Sequence, residues 1–133
     1  MATPYAWLGI AQDGELAAKE SLSTHPRSSI SRYYYAAYSA SHALLLHLGV
    51  DPPPRGNWDH AILPECLRSS LMARMGSIPS RNATIYKKGL QDLYNQRIAA
   101  DYGPLRTVDE QAANDARKWA GQLVRLAEKV LES

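Results

Sequence analysis

No stretch of this 133-residue chain alternates apolar and polar residues as a half-buried strand does, whereas apolar residues return every three or four positions along five segments. That pattern confines the fold to helices packed on helices, and prolines and glycines mark where each helix stops. Thr3 ahead of Pro4 is an N-cap followed by a proline at the first helical position. Leu8, Ala11, Glu15, Ala18 and Leu22 recur at helical spacing through residue 22. After His25-Pro26 breaks the chain, a second helix over 27–48 closes at Gly49, which can take the left-handed backbone that helix ends need. The run DPPPRGN from Asp51 to Asn57 is a stiff loop. A third helix over 59–74 tolerates Pro64 only in its first turn or at a break. Residues 76–79 turn the chain into a fourth helix over 80–102, striped by Ile85, Tyr86, Leu90, Leu93, Tyr94, Arg97 and Ile98 and stopped by Gly103-Pro104. Thr107 and Glu110 form a capping box, each side chain satisfying an orphan backbone N–H, and so open a fifth helix. Its expected buried face is Ala112, Ala116, Trp119, Leu123, Leu126 and Val130.

The expected architecture is therefore all-α, a four- to five-helix up-and-down antiparallel bundle in one domain over 1–133. At 45% hydrophobic residues the chain can bury one core but is too short for two ordinary domains. Gly14, Gly89 and Gly121 fall inside helices and mark close helix approach.

Charge and cysteine content remove several functional classes. Fifteen Lys and Arg against thirteen Asp and Glu leave a net charge of +2, too mild to announce nucleic acid or membrane. Between Arg55 and Arg106, however, eight basic residues stand against four acidic ones, which suits either a solvated helix surface or a polyanion contact. Cys66 is the only cysteine, so neither an internal disulfide nor a cysteine-based metal site can form. No metal and no cofactor is expected, and the location expected is cytoplasmic. The N-terminus has no basic start, and no run approaches the roughly 18 apolar residues of a membrane span.

The second helix, SRYYYAAYSASHALLLHLG from Ser31 to Gly49, carries four tyrosines where leucine would pack without needing polar partners. At about 100° per residue, Tyr34, Ala37, Tyr38, Ser41, Leu45 and Leu48 share the core stripe. Arg32, Tyr35, Ser39 and His42 fall in an adjacent arc of roughly 80°. A polar row beside a buried seam costs stability unless each group finds a partner. In the fourth helix, NQRIAADYG sets Tyr94, Arg97 and Asp101 on one side, with Asp101 one turn from Arg97. The two can simply neutralise each other as an ion pair. Equally, an arginine held among tyrosines is how a phosphate pocket is built, because a guanidinium matches phosphate in two hydrogen bonds.

The second helix, a loop with His60, QRIAADYG, and the alanine-rich last helix from TVDEQAANDA together resemble the small HEPN domains (higher eukaryotes and prokaryotes nucleotide-binding). The likeness is closest to the stand-alone branch whose second helix reads S-R-x-Y-Y-A and whose fourth ends in R-x-x-A-D-Y. It implies a helical bundle, often a homodimer, frequently paired with a minimal nucleotidyltransferase in toxin–antitoxin-like or defence modules.

Many HEPN proteins are metal-independent RNases whose signature is Arg, four to six residues, then His on a late helix. There the histidine acts as acid or base in attack by the RNA 2′-hydroxyl, and the arginine steadies the phosphate. Here Arg97 is followed after four residues by Tyr102, and no histidine occurs after His60. RGNWDH, from Arg55 to His60, matches the spacing, but about one such match arises by chance in a chain of this composition.

Three readings follow. The first is a HEPN module pairing with a nucleotidyltransferase and binding nucleotide or RNA through Arg32, Tyr35, His42 and His60 with Arg97. The second is an RNase using Arg97, Asp101 and Tyr102, or a histidine from elsewhere, in a dimer cleft. The third is a plain dimerising helical protein whose polar residues lock helix register.

Overall fold

Thr3 opens the first helix as the sequence predicts, its Oγ1 accepting from the Ala6 N–H at 3.1 Å. The computed structural model describes residues 2–103 and 108–132. The helices are α1 (Pro4–Ser21), α2 (Pro26–His47), α3 (Leu63–Arg74), α4 (Ser80–Tyr102) and α5 (Glu110–Leu131), and no strand occurs among the described residues. α2 ends where Gly49 takes a φ of 80°. The Gly49 N–H donates to the Leu46 carbonyl at 3.1 Å and the Val50 N–H to the Leu45 carbonyl at 3.0 Å, the paired bonds of a Schellman cap. Arg74, at the end of α3, donates to the Leu48 carbonyl at 3.1 Å and satisfies another group of that terminus.

α2 takes Pro26 into its first turn rather than starting at 27, and two further helix starts differ from expectation. α3 begins at Leu63 rather than residue 59, with Asp59 to Ile62 forming a turn. A helix from 59 would aim the His60 carbonyl at Pro64, which has no N–H and whose ring would collide with it. Pro64 therefore sits in the first turn. α5 opens at Glu110, capped by Asp109, whose carboxylate accepts from the Ala112 N–H at 2.9 Å. Thr107, the other half of the expected capping box, lies outside the described residues.

Side-chain bonds fix the topology. Tyr5 donates to the Leu131 carbonyl at 3.1 Å, Gln12 to Glu128 at 2.9 Å, and Ser23, just past α1, to Glu110 at 2.8 Å. α1 and α5 are thus antiparallel. Ser29 donates to the Ala18 carbonyl at 2.7 Å, so α2 folds back along α1. α2 is the central helix and, among the described residues, meets each of the other four.

Small residues make this close packing possible. Ala11, Ala18, Ala36, Ala37, Ala40, Ala43, Ala113, Ala116, Ala120 and Ala127 are all buried. Around Gly14, an added Cβ would lie 3.5 Å from the Ala36 Cβ, so α1 and α2 nearly touch through their backbones. The buried seam of α5 is Ala113, Ala116, Ala120, Leu123, Val124, Ala127 and Leu131. It is rotated from the expected face: the alanines take the line of closest approach, and the bulkier Trp119, Leu126 and Val130 pack along its edge. Ile85 of α4 likewise turns outward, while Ala83 and Gly89 face inward.

Gly89 is required by Trp119. An ideal Cβ there would fall inside the indole ring's contact surface, 3.0 Å from Cζ3. Gly89→Ala gains about 1 kcal/mol of helix propensity but forces the ring or α4 to shift. The net expectation is a loss of about 1–2 kcal/mol in urea unfolding, with a changed Trp119 fluorescence. An unchanged or raised midpoint would show that the α4–α5 contact yields freely.

Among the described residues, no helix is long and apolar enough to cross a membrane.

Candidate functional site

The polar tips of α2 are used to tie down the loop between α2 and α3. Tyr38 donates its hydroxyl to the Trp58 carbonyl at 2.9 Å and accepts from Asn57 Nδ2 at 3.1 Å. One turn on, His42 Nδ1 donates to the Tyr38 carbonyl at 2.9 Å, which leaves Nε2 as the acceptor for the Trp58 N–H at 3.0 Å. Both backbone groups of Trp58 are thereby bonded to residues four apart on one helix. His42 is wholly buried, and burial pushes its pKa down, so it stays neutral in this role. Trp7 covers it, ring to ring at 4.4 Å.

One turn before Tyr38, the Tyr34 hydroxyl meets His60 Nδ1 in a short hydrogen bond. Burial drives the Tyr34 hydroxyl far above the ordinary phenol range, so it keeps its proton and donates it. His60 then accepts on Nδ1 and carries its ring proton on Nε2. Burial, and then the charge of Arg97, lower the His60 pKa, against a smaller opposite pull from Asp59. The His60 ring stacks on Tyr94 of α4 at 5.4 Å and lies 4.7 Å from Tyr38.

Arg97 completes the cluster from α4. Its guanidinium sits 5.3 Å from the Tyr35 ring centre and 5.7 Å from that of Tyr102. Nε lies 3.0 Å from Asp101 Oδ2, yet the buried N–H is not aimed along that line and makes no directed hydrogen bond. Charge, rather than hydrogen-bond geometry, holds the pair. Ser31 reaches the same carboxylate oxygen at 3.4 Å. The rings on either side of the guanidinium are open to solvent, Tyr35 at 40% and Tyr102 at 66%. A largely desolvated arginine between two exposed aromatic faces can take phosphate oxygens while the rings accept stacked bases.

The end of α4 that carries Asp101 and Tyr102 is held from α2. Arg27, in the first turn of α2, donates to the Ala100 carbonyl at 2.8 Å and to those of Ala99 and Gly103 at 3.3 Å. α4 has no basic residue in its own last turn, and Arg27 supplies the cation its C-terminal dipole favours.

Tyr35, Arg97 and Asp101, from the two helical stripes, gather between α2 and α4, with Tyr102 at the end of α4 and His60 from the loop before α3 beside them. Arg32 does not join them: it is exposed on α2, and Ser31 is the residue that contacts Asp101. His42 is separated from solvent with both ring nitrogens engaged, so it positions the loop and faces no ligand. Ser39 of the same arc is also buried, whereas the arc is open at Tyr35. Arg27, Ser31, Asn57 and Trp58 went unnoticed in the sequence. A spacing signal did exist, since Tyr34, Tyr38 and His42 recur every fourth residue, each with a polar tip.

The chain is thus an all-helical bundle with an arginine–tyrosine cluster at one helix end. The HEPN domain model matches residues 5–130, and the chain belongs to the HEPN domain family, helical modules related at the family level to nucleotide and RNA. No curated protein matches the chain.

Proposed function

We propose that the chain is a single-domain HEPN module that binds nucleotide or RNA at the Arg97 cluster, as a homodimer paired with a minimal nucleotidyltransferase in a toxin–antitoxin-like or defence system. The observation that carries the binding reading is Arg97, flanked by Tyr35 and Tyr102 and only loosely engaged by Asp101. Phosphate displaces Asp101 from the guanidinium, and bases stack on the two tyrosines. Homodimerisation, a frequent property of the family, would bring two such clusters to one groove.

Fluorescence anisotropy with a labelled single-stranded RNA in EDTA at low salt tests this. Arg97→Ala is expected to weaken binding at least about tenfold, the worth of one charge-assisted hydrogen bond. Tyr102→Ala is expected to cost about 1–3 kcal/mol, as loss of one base-stacking platform does. RNA bound equally by all three proteins would remove the site from this cluster.

One observation favours a second reading, an RNase. His60, neutral and oriented by Tyr34, shares the Tyr35 ring with Arg97, its own ring 6.2 Å from that centroid. An imidazole and a guanidinium are the two groups that 2′-hydroxyl attack needs. RNA cleavage in EDTA that disappears in both Arg97→Ala and His60→Ala would replace the binding reading with this one.

A further inference from the structure

The side of α2 opposite Tyr35 faces a groove of about 390 Å³ between α1 and α5, and Tyr33 lies at its floor. Tyr33 is 0% exposed, and its hydroxyl has no hydrogen-bond partner among the described residues. If the position needed only ring volume, phenylalanine would fill it without the cost of an unpaired buried hydroxyl. The carboxylates of the groove are already engaged: Arg125 pairs with Glu15 and, at 2.9 Å, with Glu128, which also accepts from Gln12. Lys19 and Arg117 are exposed and have no ion-pair partner among the described residues.

Arg117 lies near enough to pull the Tyr33 pKa down, but burial outweighs it and, with Glu15, keeps the hydroxyl protonated as a donor. The lining carries a surplus of one positive charge. A phenolic O–H, a guanidinium and an ammonium, from three different helices, thus line one cavity with no acceptor assigned to them. Three donors match the three terminal oxygens of a phosphate, and the guanidinium can take two of them side by side. Solvent does not reach the Tyr33 hydroxyl, so a ligand meets it only when side chains at the groove floor move aside.

We infer that this α1–α5 groove is a second anion site, separate from the Arg97 cluster, which binds a phosphate group through Tyr33, Arg117 and Lys19. The same chemistry fits free phosphate and the phosphate of a small monoester.

The test is titration calorimetry of the purified protein with inorganic phosphate and, separately, with ribose 5-phosphate, each against sodium chloride at matched ionic strength. Both the parent and Arg97→Ala are expected to bind, which keeps this site distinct from the proposed RNA site. Tyr33→Phe and Arg117→Gln, each added to Arg97→Ala so that the first site is silent, are expected to bind at least about tenfold more weakly than Arg97→Ala alone. Tighter binding of ribose 5-phosphate than of phosphate assigns the site to a monoester, and equal binding assigns it to the free ion. Two results would overturn the inference: no binding of either probe by the parent, or Tyr33→Phe that, added to Arg97→Ala, is more heat-stable and binds phosphate as Arg97→Ala alone does. The second outcome would make Tyr33 a core ring with a surplus hydroxyl.

Discussion

His42→Ala is expected to destabilise the protein by about 3–5 kcal/mol in urea unfolding, a large share of the roughly 5–15 kcal/mol that holds a typical domain. Two effects add. Removing a fully buried ring leaves a cavity beneath Trp7, and the Trp58 N–H loses its acceptor inside the protein. Tyr38→Phe is expected to cost only about 1–2 kcal/mol, because it removes the bond to the Trp58 carbonyl and the one from the exposed Asn57 but leaves the ring in place. As both residues hold the same tryptophan backbone, their effects should couple by about 0.5–3 kcal/mol in a double-mutant cycle. His42→Ala within about 1 kcal/mol of the parent would show that the loop is secured by other contacts.

Lowering the pH from 7 to 5 is expected to remove stability through His42 and His60. Their folded-state pKa values lie below the ordinary 6.5, chiefly because burial disfavours the charged ring. Above 6.5 both rings are neutral whether the chain is folded or not, and the full stability is present. Below it the unfolded chain takes up protons that the folded chain refuses, so stability falls until the folded-state pKa values are passed. Both histidines act in this same direction, since each is held below its ordinary pKa in the folded chain. Glu65, whose pKa is held at about 2 by Arg68 and Lys87, titrates well below this window. Urea midpoints measured each half pH unit should decline from pH 6.5 downward, and less steeply in His42→Gln. A flat profile in the parent would mean that His42 gains protons equally in both states.

Helix ends set by proline or glycine could be read from the sequence because those residues act on their own backbone. Pro4, Gly49 and Gly103 stop or start helices where expected. Pro64 misled only in how far the preceding turn belongs to α3. Tyr35 beside Arg97 followed from two helical stripes, since α2 and α4 are long and antiparallel enough for register to be inferred. The loop tether could not be read this way. Tyr38 and His42 find their partner 20 and 16 residues away across a proline-rich loop whose path no periodicity describes. α2 is also buried on most of its circumference, so a polar residue on it has several possible neighbours. The helical wheel put His42 in the polar arc next to the buried stripe, but it could not show that Trp7 and the backbone of Trp58 close over it.

The hydrogen bonds from Arg27 have a kinetic consequence for Asp101 and Tyr102. Helix termini ordinarily fray at almost no free-energy cost, on timescales far shorter than unfolding. Here the final carbonyls of α4 are gripped from the first turn of α2, a helix packed against every other. Opening the last turn of α4 means breaking those bonds or melting the start of α2 with it. Amide protons of that turn should therefore exchange with solvent in step with the opening of α2, and the two residues beside Arg97 keep their geometry between those rare events.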